Sequence, residues 1–228
     1  MRVTRYVQST IQIQTPDGRS VLIDPGTWNF EPGKFTHDRF PKVSLLVVTH
    51  KHADHCDLDA VAAFEKRDRP LVVTNAELAP QMAARNIHAR VVNPGESVMH
   101  AGITLTALPA DHVVRGEVIV IFSALVTIDG WRAYHPSDTR YMDPARLPGV
   151  PGCDLLLVPI GNRGLVMGMD DAAYFARQVK PRHLIPIHYE APADRDRIRP
   201  ETFAALFTAA DGFGVTILGQ GQSIDLTP

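Results

Sequence analysis

The chain has 228 residues, long enough to bury one sizeable core, and its 45% hydrophobic and 21% charged residues exclude disordered and fibrous classes. A net charge of -2 gives no strongly basic face, which argues against nucleic acid as a partner. Two cysteines are too few for a disulfide framework and fit a reducing compartment. No apolar run reaches a signal-peptide core or the ~20 residues of a membrane span, so we expect one cytoplasmic domain over residues 1–228.

The first half of the chain alternates short strands with helices. Strands are predicted at 2–7, 10–14 and 20–24, with a hairpin turn at Pro16-Asp17-Gly18 between the last two. A surface loop follows over 25–41, and residues 43–48 form the apolar, β-rich run that is typical of a strand covered on both faces. Helices at 57–67, with Asp57 as N-cap, and at 76–85 alternate with strands at 71–74 and 89–92.

The second half begins with hairpins and returns to alternation. Strands predicted at 97–100, 103–109, 117–128 and 131–134 are antiparallel, and Asp129-Gly130 forms the turn between the last two. Strands at 155–159, 183–186 and 215–218 then alternate with helices at 171–178 and 201–210. This order indicates an α/β fold with two β-sheets stacked face to face and helices outside.

Four side chains that can bind metal lie within six positions, directly after the predicted strand 43–48. They are His50, His52, Asp54 and His55. Imidazole nitrogens and carboxylates suit zinc, manganese or iron. Because sites in α/β sheets form where strands run out into loops, this cluster predicts a metal site rather than scattered surface histidines.

Three further candidate ligands each follow a predicted strand. They are His112, Asp138 and His188. Each is a weak signal alone, since a lone histidine is more often a surface residue or a satisfied polar group. Together with the first cluster they could fill and bridge a metal site.

These residues, in this order, carry a resemblance that covers nearly the whole chain. It resembles the metallo-β-lactamase superfamily and, within it, the small bacterial metal-dependent hydrolases that include L-ascorbate-6-phosphate lactonase-like proteins. Besides the candidate ligands, the resemblance rests on Leu22-Ile23-Asp24-Pro25, Tyr134-His135-Pro136-Ser137-Asp138-Thr139, Leu157-Val158-Pro159-Ile160-Gly161 and Ile185-Pro186-Ile187-His188-Tyr189.

The resemblance implies an αββα four-layer sandwich that holds two divalent metal ions, Zn²⁺ first, with Mn²⁺ or Fe as alternatives. It implies that the first ion binds to His50, His52 and His112 and the second to Asp54, His55 and His188. Asp138 would bridge the two. The implied nucleophile is a metal-bridging hydroxide, which attacks a small ester, lactone or related carbonyl substrate while Asp54 orients it and takes its proton.

Other residues have two interpretations each. His135 could donate a proton to the leaving group or be structural, and Asn162 with Arg163 could contact an anionic substrate or lie in solvent. Cys56 follows a ligand directly, but we expect a buried thiol. Trp28, with Asn29 and Phe30, could form one wall of the pocket or pack within its own loop.

Three alternatives to a carbonyl hydrolase stay open. The same site could serve a phosphodiesterase or nuclease, although the sequence has no long basic insertion to hold nucleic acid. Iron at the same ligands would make a di-iron redox protein, and a non-catalytic binding protein would keep only the fold. We expect a small-molecule substrate and leave a homo-oligomer open.

Overall fold

The computed structural model describes residues 1–161, 164–191 and 198–227. The chain divides into two compact units. The first comprises Met1–Asn93, Val98–Ile103 and Leu218–Pro228, and the second Pro94–Ser97 and Thr104–Ile217. None of the helices in the described ranges is long and apolar enough to cross a membrane.

The described part of the chain contains short strands, four α-helices and four short 3-10 helices. The strands are β1 (Arg2–Arg5), β2 (Ile11–Gln14), β3 (Ser20–Ile23), β4 (Leu45–Val47), β5 (Leu71–Thr74), β6 (Ala89–Val91), β7 (Ser97–His100), β8 (Ile103–Leu108), β9 (Val113–Val114), β10 (Glu117–Val118), β11 (Ser123–Ile128), β12 (Trp131–His135), β13 (Leu155–Pro159), β14 (His183–Ile187), β15 (Gly214–Val215) and β16 (Gln222–Asp225). The helices are α1 (Leu58–Asp68), α2 (Ala79–Ala83), α3 (Met169–Val179) and α4 (Pro200–Ala204).

The first unit is built on a seven-stranded sheet in the order β16-β1-β2-β3-β4-β5-β6. Its outer strands are antiparallel, whereas β3, β4, β5 and β6 run parallel. Strands β3 and β4 are buried along their whole length, as the apolar run 43–48 predicts for β4. Because parallel strands end at one edge, the residues that follow β3, β4 and β5 are neighbours there.

Helix α1 covers one face of this sheet. Its buried residues Val61 and Phe64 pack in a core with Leu22 and Leu46 from the strands. Asp57 is the N-cap, as predicted, because its carboxylate accepts hydrogen bonds from the backbone N–H groups of residues 59 and 60. The loop between β4 and α1 is therefore held at both ends by ordered structure.

The second unit is built on another seven-stranded sheet, in the order β15-β14-β13-β12-β11-β8-β7. Strands β12, β13, β14 and β15 run parallel, and β11 is antiparallel to β12. Helix α3 buries Ala172, Phe175 and Ala176 in a core with Leu156 and Val158 of β13. As in the first sheet, the parallel strands bring the chain segments after them to one edge.

Several predicted elements differ from the structure. The predicted strand 117–128 is divided into β10 and β11, because the exposed Val118 lies in a two-stranded ribbon with β9 that the sequence did not predict. The predicted helices at 76–85 and 201–210 are shorter, as α2 and α4, and each has a proline in its first turn. Strand β16 was also missed, because its exposed QSID sequence has no apolar run.

Candidate metal centre

Four donor side chains, His50, His52, Asp54 and His55, form the N-terminal donor cluster in the loop after β4. His50 and His55 are fully buried, whereas His52 and Asp54 are partly exposed. The Nε2 atom of His50 lies 3.0 Å from Nδ1 of His52, and Nε2 of His55 lies 3.8 Å from Oδ2 of Asp54. The first unit thus brings together all four residues that the motif predicts.

Asp24, directly after β3, organises this cluster. Its Oδ1 accepts a hydrogen bond from the backbone N–H of Thr49 at 2.7 Å, and its Oδ2 accepts one from the Thr49 hydroxyl at 2.8 Å. The same Oδ2 lies 2.8 Å from Nδ1 of His55. Asp24 is fully buried, so its carboxylate acts on these groups with little screening by water.

These hydrogen bonds determine which nitrogen of each imidazole carries the proton. A carboxylate only accepts, so Nδ1 of His55 donates to Asp24 and its Nε2 keeps a lone pair. Thr49 uses its only proton on Asp24, so at 3.1 Å its oxygen accepts from Nδ1 of His50. Both imidazoles therefore keep the lone pair on Nε2, the form in which a histidine can bind a metal, and for His55 a carboxylate fixes this form.

The pair of His50 and His52 fits two ligands of one cation. Ligands of a tetrahedral zinc site, with Zn–N distances of about 2.0–2.1 Å, lie roughly 3.3 Å apart. The observed separation of 3.0 Å between Nε2 of His50 and Nδ1 of His52 is close to this value. Two imidazoles and a carboxylate are the donor types that a borderline divalent cation prefers, so the residues present fit such an ion.

The loop that carries the cluster is attached to the segment after β3 by backbone contacts. The N–H of Thr27 donates to the carbonyl of Ala53 at 2.7 Å, and the N–H of Asp57 donates to that of Pro25 at 3.0 Å. Between them, a Cβ atom added to Gly26 would lie 2.0 Å from the carbonyl oxygen of Asp54. The two backbones are too close for any side chain at position 26.

The second unit holds three more donors, His112, Asp138 and His188, which form the C-terminal donor cluster. Oδ2 of Asp138 lies 3.9 Å from Nε2 of His112, and its Oδ1 lies 3.2 Å from Nε2 of His188. All three side chains are buried. Each carboxylate oxygen thus faces a different imidazole.

The C-terminal donor cluster is also built by strand ends and hydrogen bonds. His188 directly follows β14, and Asp138 lies three residues after β12. Nδ1 of His112 donates to the carbonyl of Leu165 at 2.9 Å, so its Nε2 keeps the lone pair. Gly161, after β13, leaves room for His188: a Cβ there would lie 2.8 Å from the His188 carbonyl oxygen.

The other predicted site residues have mixed outcomes. His135 is fully buried, and its Nδ1 accepts a hydrogen bond from the backbone N–H of Ser137 at 3.1 Å; its catalytic role stays a prediction. Cys56 is a buried free thiol, as expected. Asn162 and Arg163 lie outside the described residues, and their substrate contact stays a prediction.

Asp24 and Thr49 were not predicted as site residues. Asp24 was noted only as part of a family motif, although its position supplied a usable signal. It directly follows a strand that pairs in parallel with the strand before His50, and parallel strands bring such residues to the same sheet edge as the donors. The hydroxyl of Thr49 depends on side-chain geometry that no sequence pattern specifies.

With this geometry in view, comparison with known proteins identifies the family. Residues 19–189 match the family described as Beta-lactamase superfamily domain. The chain belongs to the beta-lactamase superfamily. It is 31% identical over 217 residues to the UPF0173 metal-dependent hydrolase of Pyrococcus furiosus, covering 91% of this chain and 92% of that protein. The chain is therefore a metal-dependent hydrolase, as predicted, while its lactonase-like assignment within the superfamily stays a prediction.

Solved structures of the beta-lactamase superfamily fold confirm the predicted fold class. Igni18, a novel metallo hydrolase from Ignicoccus hospitalis, superimposes with a TM-score of 0.81 at 22% identity, covering 99% of both chains. CmlA, a diiron β-hydroxylase from Streptomyces venezuelae, gives a TM-score of 0.75 at 13% identity, covering 99% of this chain and 54% of CmlA. The fold is α/β with two large sheets, as in these proteins.

Proposed function

We propose that the two donor clusters together bind two divalent cations, Zn²⁺ first, and that the protein hydrolyses a small ester, lactone or related carbonyl substrate. In this proposal His50, His52 and His112 hold one cation, and Asp54, His55 and His188 hold the other. Asp138 contacts both. Mn²⁺ and Fe are the alternative metals for the same donor set.

The geometry of Asp138 is the observation that carries the proposal of two ions. Its two oxygens face different imidazoles, with Oδ2 at 3.9 Å from Nε2 of His112 and Oδ1 at 3.2 Å from Nε2 of His188. A carboxylate with one imidazole beside each oxygen is suited to bridge two cations about 3.5–4 Å apart, because its charge offsets their repulsion. A ligand of a single cation would need only one of these oxygens.

The chain's own residues have defined tasks in this reaction. When bound, the cations would lower the pKa of a water molecule and polarise the carbonyl oxygen of the substrate, which makes the carbonyl carbon electrophilic. The partly exposed Asp54 orients this water and accepts its proton. The hydrogen bond between Asp24 and His55 keeps the imidazole in place during this step. His135 is the candidate proton donor to the leaving group.

A carbonyl substrate is favoured over a nucleic acid by the charge of the chain. The net charge of -2 offers little attraction for a phosphate backbone. We further propose a cytoplasmic protein, because the two cysteines are free and buried rather than paired in a disulfide. Substitutions and substrate panels test each of these points.

The proposal predicts that Asp138→Asn lowers the metal content of the purified protein. Wild type should hold about two equivalents of zinc or manganese, and the variant about one or fewer, because the amide lacks the charge that offsets cation repulsion. Elemental analysis measures the content, and hydrolysis of lactones, esters and phosphodiesters is assayed in parallel. Asp154→Asn is the matched control, since Asp154 accepts from the backbone N–H of Arg132 and belongs to neither donor cluster.

Each outcome bears on one part of the proposal. Full metal content in Asp138→Asn would contradict the bridging role, and no metal in wild type after reconstitution would contradict the metal centre itself. If the protein hydrolyses phosphodiesters but not esters or lactones, the atom attacked is phosphorus, and the proposed carbonyl substrate is wrong. Iron with dioxygen-dependent chemistry would favour the redox alternative.

A further inference from the structure

Asn29 is a fully buried amide whose hydrogen bonds leave no choice of orientation. Its Oδ1 accepts from the backbone N–H of Val7 at 2.9 Å, and an N–H can only donate. Its Nδ2 therefore donates both hydrogens, to Oγ1 of Thr10 at 2.7 Å and to the carbonyl of Gly26 at 2.9 Å. Because the backbone N–H of Val7 can only donate, it fixes the direction of all three hydrogen bonds of the Asn29 amide.

Thr10 transmits this direction to Asp24. Its hydroxyl oxygen accepts from Asn29, so its single hydrogen is available for the carbonyl oxygen of Asp24, which lies 2.5 Å away. Thr10 is fully buried, so no bulk water competes for this bond. The backbone of Asp24 is thereby held at both ends, since its N–H also donates to the carbonyl of Val47 at 2.9 Å.

The fixed backbone of Asp24 directs its carboxylate at the donor cluster. Asp24 has φ of +50°, a left-handed conformation that an L residue rarely adopts without external support. In this conformation its carboxylate accepts hydrogen bonds from the backbone N–H of Thr49 and from Nδ1 of His55. Hydrogen bonds thus connect Asn29 through Thr10 to the backbone carbonyl of Asp24, and the carboxylate of the same residue accepts from Nδ1 of His55.

We infer that Thr10 and Asn29 are positioning residues for the metal centre, which hold Asp24 so that His55 presents Nε2 to a cation. This inference rests on the proposed function, in which His55 is a metal ligand. It also assigns a role within the long N-terminal loop, where Asn29 was considered as a pocket wall. Asn29 and Thr10 direct their hydrogen bonds to Gly26, Asp24 and each other, so they act on the site through these bonds.

The test replaces the hydroxyl of Thr10 with a methyl group of the same shape. Thr10→Val removes the link between Asn29 and Asp24, and Thr10→Ser keeps it. Thr10→Val should bind Co²⁺ or Zn²⁺ about tenfold more weakly in a chelator competition, as expected when an outer partner of a ligand is lost. The visible spectrum of the Co²⁺ protein should change in the same variant, and Thr10→Ser should restore both affinity and spectrum.

A second readout needs no metal. In the metal-free wild type, nitrogen NMR should place the proton of His55 on Nδ1, and in Thr10→Val the imidazole should populate both tautomers. Gln12→Met is the matched control, because Gln12 is a buried amide of the same unit that donates to Ser20 and to the carbonyl of Pro41. It should lower stability without moving the His55 signal or the metal affinity.

The outcomes separate this inference from the proposed function. If wild type binds metal and Thr10→Val has the same affinity, spectrum and His55 tautomer, the positioning role is wrong while the metal centre stands. If Gln12→Met reproduces every effect of Thr10→Val, the effects reflect stability alone and the inference is overturned. If wild type binds no metal, the proposed function fails, and the tautomer of His55 still decides whether Thr10 positions it.

Discussion

Asp24 shows how one buried carboxylate can define the chemistry of several neighbours. By accepting from Nδ1 of His55 and from Thr49, it places the proton of both the His55 and the His50 imidazole on Nδ1. Its own backbone has φ of +50°, and Ser137 and His188 beside the other donors have φ of +59° and +55°. Such conformations cost of order 1–3 kcal/mol each for residues other than glycine and persist where surrounding bonds support them. Left-handed backbone thus accompanies donors in both units.

The residue that follows His55 offers a test of which side chains are ligands. Burial, together with the charges of Asp24 and Asp57, raises the pKa of the Cys56 thiol to about 12. Because the thiolate is the reactive form, Cys56 should resist a thiol reagent at pH 8 in the folded protein and react promptly once it is unfolded. The rate of labelling measures this, in a Cys153→Ala background that leaves one thiol.

The same measurement distinguishes a buried thiol from a metal ligand. Removal of metal should leave the labelling of Cys56 unchanged, because the thiol belongs to neither donor cluster. Prompt labelling in the folded protein, or labelling that begins only when metal is removed, would contradict its assignment as a buried, inert residue. Raising the pH above about 8.5 should also destabilise the fold, since the unfolded thiol then ionises while the folded one does not.

At the scale of elements, parallel strands explain why donors distant in sequence become neighbours. Strands β3 and β4 pair with Ile23 opposite Val47, so Asp24 and the segment leading to His50 leave the sheet at one edge. In the second unit, β13 and β14 pair with Pro159 opposite Ile187, which places Gly161 beside His188. The site is therefore a consequence of strand register as much as of the histidine motif.

Gly26 provides a prediction at this scale. Gly26→Ala should displace the loop of the N-terminal donor cluster, because its Cβ would lie 2.0 Å from the Asp54 carbonyl oxygen and backbone cannot yield as a flexible side chain does. We expect a loss of roughly 1–3 kcal/mol in the free energy of unfolding together with weaker metal binding, measured by denaturant titration and chelator competition.

The control for this substitution is another glycine without positive φ. Gly214→Ala adds a methyl group that meets nothing within 4 Å, so stability and metal affinity should stay near wild type. Equal metal affinity in Gly26→Ala and wild type would show that the loop tolerates the added atom, and the argument from close backbone approach would be wrong.

At the scale of the whole molecule, the sequence predicts the features that depend on residue type and on periodic patterns along the chain. It misses the features that depend on how distant segments pack together. The strand before His50, the helix capped by Asp57 and the seven candidate donors follow from apolar runs, capping chemistry and residue type. The shortness of α2 and the ribbon of β9 and β10 do not, because tertiary packing decides them. Nor could a sequence show that Thr10 accepts from one residue and donates to another, since that requires positions accurate to a fraction of an ångström.

The distribution of the proposed ligands leads to a prediction for the whole chain. Four donors lie in the first unit and three in the second. Cations bound by both sets would stabilise only the state in which both units are folded, so metal should raise the melting temperature of the entire protein. At a free metal concentration 100 times the dissociation constant, the gain is about 2.7 kcal/mol for each bound cation, which corresponds to roughly 5–10 °C per cation for a chain of this size.

Thermal unfolding of metal-free protein, with and without added Zn²⁺, measures this gain. Mg²⁺ is the control cation, because it prefers oxygen ligands and should shift the melting temperature far less at a site rich in imidazole. His50→Ala and His188→Ala each remove a ligand from a different unit, and each should reduce the shift produced by Zn²⁺ across the whole transition. If only the variant in one unit loses the shift, cations bind to that unit alone, and the division of ligands between the two donor clusters is wrong.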